Sequence, residues 1–356
     1  MDWIEVIAAA SGDSLATGYR RYLLVRLLVI AGFAAALVLS FLFDVATGPS
    51  TFPVGDIVTG LIEPSALDAG KQVILWDVRL PYAVMAVLVG AALGLSGAEM
   101  QTVLNNPLAS PFTLGISGAA TLGASLAIVF QFDLPGVGSN YVISASAFVG
   151  AICATLLIQS LSRFYGASLD VVVLFGIALY FAFQSMVSLV HFMADASASQ
   201  EIIFWTMGSL SRANWDKIGI VAVTLALCLP LSMRQSWSLT ALRGGEDHAR
   251  SLGISVERLR LLVLLRVSLL AAVAVSFVGE IAFVGLVGPH IARMALGENH
   301  KVFLPGSTLA GALSLSLASI VSKSLVPGLI LPVGMVTTFV GIPLFVGLIL
   351  AQRRRS

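Results

Sequence analysis

RLPYAVMAVLVGAALGLSGAEMQTVLNNPLASPFTLGISG, residues 79 to 118, decides how this chain folds. An apolar stretch long enough to cross a membrane starts at Arg79-Leu80-Pro81 and ends at Gln101, followed by Asn105-Asn106-Pro107-Leu108-Ala109-Ser110-Pro111. Within it, Gly90, Ala91, Ala92, Gly94, Ser96, Gly97 and Ala98 crowd small residues together. Lipid gives helices no hydrophobic reason to associate, so close packing of small residues drives their contact, and this helix is expected to be buried among others.

The composition extends that reading to the whole chain. Hydrophobic residues make up 58% and charged residues 11% of 356, against roughly one quarter charged in a soluble domain, and mean hydropathy is +0.96. A water-soluble globule is excluded. Apolar windows predict ten helices at about 22–43, 80–103, 112–130, 141–161, 169–190, 217–233, 259–279, 282–296, 303–324 and 333–350. The expected fold is therefore an all-α polytopic membrane protein, one transmembrane domain over residues 1–356. A net charge of +1 with scattered basic residues offers no surface for nucleic acid.

Short cytoplasmic loops collect Lys and Arg. An internal N-terminus places Arg20, Arg21, Arg163, Arg234, Arg243, Arg250, Arg258, Arg260, Arg293, Lys301 and Arg353 to Arg355 inside. Only Lys71, Arg79, Arg212, Lys217 and Lys323 then fall outside, so both termini are expected to be cytoplasmic. Residues 1–20 form an N-terminal cytoplasmic segment, and Leu27 to Phe43 reads as a retained first span without a cleavage site. The longest inner loop is 234–258. It contains no phosphate loop, and none occurs elsewhere, so any ATP hydrolysis would have to come from a partner.

In that loop, Gly244 and Gly245 precede Glu246-Asp247-His248-Ala249-Arg250, and Gly253 is placed to stop a short helix. A rigid docking element and a solvated connector both fit this pattern. Gly279, Gly285 and Gly288 with Pro289 predict a broken helix at the start of the eighth span, tolerable only where protein or water satisfies the freed backbone groups. Glu99 and Glu280 sit at span ends with no basic partner evident at the midplane; they fit hydrogen bonding between helices or a proton relay. His290 reads as a structural hydrogen-bonder or a ligand. Cys153 and Cys228 lie in separate apolar runs as small core residues, and no catalytic or metal-spaced cluster occurs. No cofactor is expected.

These segments resemble the FecCD-type permeases of bacterial ABC importers for iron chelates, haem and cobalamin. The similarity runs from about residue 20 to 352 and rests on Arg79-Leu80-Pro81, Gln101 with Asn106-Pro107-Leu108-Ala109, Gly115-Ile116-Ser117, Gly244 to Gly253, Phe283-Val284-Gly285-Leu286 with Pro289-His290, Leu331-Pro332-Val333-Gly334 and Gly341-Ile342-Pro343. The resemblance implies a non-catalytic inner-membrane subunit pairing with a second copy or a homologous permease. It also implies two cytoplasmic ATP-binding subunits and a periplasmic substrate-binding protein. It assigns Gly244, Gly245, Glu246, Asp247, Arg250 and Gly253 to ATPase coupling, Arg79 and Lys323 to docking of the binding protein, and Ala167 and Ser168 to an inner gate.

Two departures stand out. Tyr82 occupies a position where many relatives carry a second arginine, and Lys323 replaces an arginine, losing its bidentate fork; Arg212 and Lys217 are alternative docking cations. Phe181, Phe183, Gln184, Met186 and Met193 are candidates for lining the path or for ordinary packing. The residues leave the cargo open among ferric siderophore, haem and cobalamin, with 105–112 closest to siderophore carriers. A proton-coupled secondary transporter is the reading from a different class; a channel lacks a filter motif.

Overall fold

The computed structural model describes residues 15–353 apart from 50, 51, 113, 133, 134, 137 and 165–168. Among them there is no strand. The helices are α1 (Leu15–Ala46), α2 (Val54–Ile62), α3 (Ala69–Val73), α4 (Leu80–Val103), α5 (Ile116–Val129), α6 (Ser139–Phe164), α7 (Leu169–Met193), α8 (Ala196–Thr206), α9 (Trp215–Arg234), α10 (Ser236–Arg243), α11 (Glu246–Ser251), α12 (Val256–Val278), α13 (Val284–Leu296), α14 (His300–Ser324) and α15 (Val333–Arg353). Every one of the ten apolar windows falls on a helix. Seven segments are long and apolar enough to cross a membrane, whereas Ile116–Val129, Val284–Leu296 and Val333–Pro343 are shorter apolar pieces.

The centre of the bundle is α4, which packs against α9, α12, α13 and α14 and is buried on nearly every face from Leu80 to Val103. Its glycines explain how. A Cβ at Gly94 would stand 2.3 Å from the Ser307 carbonyl oxygen, and one at Gly97 1.8 Å from the Gly285 carbonyl oxygen. Gly311 of α14 returns the contact, its own Cβ position lying 2.4 Å from the Gly90 carbonyl oxygen. The expectation of a small-residue helix wrapped by neighbours holds.

Pro289 contributes to one of these contacts. Lacking an N–H, it leaves the Gly285 carbonyl without its partner four residues on, and that carbonyl is the one lying against Gly97. The break expected at the start of this span is present. Helix α13 runs through Pro289 unbroken, and the interruption lies at 279–283, where Gly279 (φ 78°) and Phe283 (φ 68°) turn left-handed.

Glu99 is corrected by the structure. It is fully buried on α4 and paired with Arg266 of α12, whose Nε donates to Oε2 at 2.8 Å and whose Nη2 donates to the other carboxylate oxygen. Arg266 also donates to Gln235 Oε1 at 3.1 Å, at the junction of α9 and α10. The basic partner sat in the seventh apolar window, seven residues along from Leu259, and window averaging conceals a single charge there.

At the opposite end of the bundle from α10 and α11, the last turn of α1 is held by two cations. Arg79 donates to the carbonyls of Val45 at 2.9 Å and Ala46 at 2.7 Å. Lys323 Nζ lies 2.6 Å from the Asp44 carboxylate and donates to the Asp44 carbonyl at 2.7 Å. Cations at a helix C-terminus complement its unpaired carbonyls and its dipole.

Gly97→Ala should lower the melting temperature of the detergent-purified protein, because the methyl group must force α4 off the Gly285 carbonyl at about 1–3 kcal/mol of overpacking. Gly32→Ala, with nothing within 4 Å of its Cβ position, is the control. Equal melting of both variants and wild type would remove the close contact from the account.

Candidate functional site

The loop 234–258 folds into two short helices. Gln235 breaks the chain after α9, α10 follows at once, and Gly245 separates α10 from α11 at φ 115° and ψ 154°, a conformation open essentially to glycine alone. Helix α11 ends as the sequence predicts: Gly253 turns left-handed (φ 79°), its N–H bonds the Arg250 carbonyl and the Ile254 N–H bonds the Ala249 carbonyl. That pair of bonds is the Schellman arrangement.

Charge fixes the two helices to the bundle. Glu246 accepts from Arg250 at 3.1 Å and from Arg260 of α12 at 2.6 Å, while Arg250 also reaches Glu257 at 2.9 Å and Asp247 at 3.6 Å. Asp247 presents its whole side chain to solvent. On α10, Arg243 makes a two-pronged contact with Glu298, 3.0 Å from Nε and 2.8 Å from Nη2, and a third bond at 2.8 Å from Nη1 to Asn105. Glu257 is held below the usual carboxylate range by its own backbone N–H and by Arg250. For Glu298, burial pushes upward but the Arg243 contacts outweigh it, and its pKa is also lowered. Both groups therefore add their stabilisation in full above the ordinary carboxylate value of 4.5 and lose it as pH falls through their lower folded values.

The partners of these groups meet at the end of α4. Asn105 turns left-handed (φ 43°), its N–H bonding the Thr102 carbonyl and the Asn106 N–H bonding the Gln101 carbonyl. The Val103 carbonyl accepts from Arg260 Nε at 3.3 Å. His300, the first residue of α14, touches Thr102 Oγ1 through Nε2 at 2.8 Å and Thr240 Oγ1 of α10 through Nδ1 at 3.1 Å. Arg293 of α13 donates to Gln101 Oε1 at 2.8 Å. Sequence reasoning singled out 244–253 and missed Arg243, Arg260, Glu298 and His300, which tie the loop down. Their signal was available as charge flanking α12 and the α13–α14 turn, but spacing alone does not say which partner each finds.

The other assigned residues lie elsewhere. Arg79 and Lys323 are brought together at the end of α1, both under 8% exposed, and Lys323 stands 4.9 Å from the centre of the Tyr82 ring. Lys217 is also buried, donating to the Arg212 carbonyl at 3.1 Å. Ala167 and Ser168 lie outside the described residues. Glu280 sits in the left-handed break between α12 and α13, with Oε1 buried and without a hydrogen-bond partner. Of the path candidates on α7, Phe181, Met186 and Met193 are exposed, Gln184 donates to the Tyr180 hydroxyl at 3.0 Å, and Phe183 joins the wall of an apolar groove of about 770 Å³ between α5, α6 and α7. Among the described residues no three His, Cys, Asp or Glu side chains group to hold a metal.

Residues 36–351 match the FecCD transport family. The hemin transport system permease protein of Yersinia pestis is 38% identical, over 80% of this chain and 85% of its own. The "Probable iron chelatin transport system permease protein" of Helicobacter pylori is 38% identical over 79% of this chain and 84% of its own. A solved structure described as an inward-facing conformation of a metal-chelate type ABC transporter superposes with a TM-score of 0.78 at 30% identity, covering 91% of this chain and 99% of that one. By that match over most of its length and by these relatives, the chain belongs to the FecCD transport family: it is a non-catalytic, multi-pass membrane permease of the ABC-importer type.

Proposed function

We propose that this permease carries a ferric siderophore inward across the inner membrane, driven by two cytoplasmic ATP-binding subunits and loaded by a periplasmic substrate-binding protein. It works as a pair with a second copy or a homologous permease, the whole of 1–356 forming one transmembrane unit. The Lys and Arg distribution supports an orientation with 1–20, 234–258 and both termini cytoplasmic.

The observation that carries the reading is the loop geometry. Helices α10 and α11 are too short to be stable alone, yet ion pairs fix them to α12 and to the α13–α14 turn. A partner pressing on Asp247 and Arg250 would therefore move the spans rather than a flexible connector. Gly244, Gly245 and Gly253 supply the turns that present the two helices. A secondary carrier is disfavoured because Glu99, the deepest acid on α4, is committed to Arg266. For the cargo, the iron chelatin relative supports a ferric chelate, and the hemin relative at equal identity makes haem the second reading.

At the outer end, Arg79 and Lys323 remain the proposed docking cations, Lys323 already pairing with the Asp44 carboxylate of this chain. Ala167 and Ser168, small enough for a narrow constriction between two subunits, remain the proposed inner gate.

Three measurements test this reading. Vesicles containing the permease, its ATPase and its binding protein should take up a radiolabelled ferric siderophore only with ATP. Uptake of haem or cobalamin instead replaces the cargo, and uptake that survives without the ATPase but collapses with the proton gradient overturns the mechanism. Glu246→Ala and Arg250→Ala should lower cargo imported per ATP about tenfold while binding-protein docking persists; normal ratios in both would remove the coupling role. Arg79→Glu, checked for monodisperse folding, should weaken affinity for the loaded binding protein, and unchanged affinity would exclude that docking site.

A further inference from the structure

We infer that the last turn of α4, Gln101 to Asn105, is the point at which movement of the coupling loop enters the transmembrane bundle. The inference rests on the coupling role proposed for 244–253 and goes beyond it by naming the receiving residues.

Four positions in this turn are each held by a group from a different helix. Arg293 of α13 holds Gln101, His300 of α14 holds Thr102, Arg260 of α12 holds the Val103 carbonyl, and Arg243 of α10 holds Asn105. All four holders also reach the loop or its anchor, Arg293 through an ion pair with Glu298 at 3.3 Å. His300 bonds Thr240 on α10, Arg260 bonds Glu246 on α11, and Arg243 bonds Glu298. Both short helices thus converge on one turn by separate polar routes, one through His300 and Arg243 and one through Arg260.

The turn is shaped to receive them. Asn105 adopts the left-handed conformation that closes α4, satisfying the Gln101 and Thr102 carbonyls and leaving the Val103 carbonyl to Arg260. Beyond the turn, α4 is buried on nearly all sides and meets α13 and α14 backbone to backbone. A close-packed interior transmits displacement instead of absorbing it, so a shift of this end reaches the helices around α4. Thr102 and Asn105 are therefore positioning residues. They touch neither cargo nor, in this proposal, the ATPase.

The test uses the whole importer, permease with its ATPase and binding-protein partners in proteoliposomes, and reads two quantities: stimulation of ATP hydrolysis by the loaded binding protein, and cargo imported per ATP hydrolysed. Thr102→Val with Asn105→Gly removes both side-chain ties, the glycine keeping the left-handed turn free of strain. Cargo per ATP should fall about fivefold or more, with hydrolysis still stimulated. Thr102→Ser with Asn105→Asp keeps a hydroxyl for His300 and an acceptor for Arg243, and should keep the wild-type ratio. If the double variant fails to fold, the single variants Thr102→Val and Asn105→Gly each remove one route and should each lower the ratio.

An unchanged ratio in folded variants, alongside uncoupling in Glu246→Ala, overturns the α4 entry point and leaves the loop reading standing. Unchanged ratios in both sets overturn both. Loss of the ATPase subunits from the purified complex would assign this turn to attachment and equally overturn the inference.

Discussion

The backbone contact of α4 with α13 and α14 is the constraint on which the rest of the structure depends. Because lipid is as apolar as the side chains, nothing but packing and polar bonds holds transmembrane helices together. The missing side chains at Gly90, Gly94, Gly97 and Gly311 let main chains meet, and Pro289 frees a carbonyl to occupy the space beside Gly97. Once these three helices are joined, α9 and α12 complete the ring around α4. Helix α1, mostly exposed along its length, is left for the periphery and is fastened chiefly at its end by Arg79, Asp44 and Lys323.

Buried charge supplements that packing at two depths. Glu99 with Arg266 lies on the loop side, and Asp44 with Lys323 at the other end of the bundle, each with both members under 8% exposed. Removing one partner of such a pair strands the other charge, at about 3–5 kcal/mol. What the pairs add is register: Arg266 fits only if α12, α4 and the α9–α10 junction stand at fixed heights, since it must bond Glu99 and Gln235 together. Close glycine contacts set how near the helices lie; the charges set how far each slides along its neighbour.

Much of this architecture was legible. Ten apolar windows became ten helices because a twenty-residue apolar run in lipid has no other way to satisfy its backbone. Gly253 ended α11 because its left-handed turn is a local property of glycine. The partner of Glu99 was not legible, since Arg266 hides among apolar residues and nothing local says that it faces α4. The break at the start of the eighth span was legible from Gly279, whereas the part of Phe283 in that turn was not, since nothing local favours a positive φ in a phenylalanine. At the end of the bundle away from the loop, the engagement of Arg79 and Lys323 with the last turn of α1 was likewise hidden, since nothing in the sequence says that they reach back to Val45, Ala46 and Asp44.

The polar loop is attached to the bundle at more than one point. A single tie between α11 and α12 through Glu246 and Arg260 would act as a hinge, free to rotate under load. The second route, from α10 through Thr240 and Arg243 to His300 and Glu298, removes that freedom. Two ties that end on the same turn of α4 make a push on the loop a push along a defined direction. Each is built from an arginine or histidine that bonds on two sides, and a lysine has no planar fork with which to do this. Arg243 and Arg260 at the loop each bond two different residues, whereas Lys323 at the far end bonds the carboxylate and the carbonyl of the single residue Asp44.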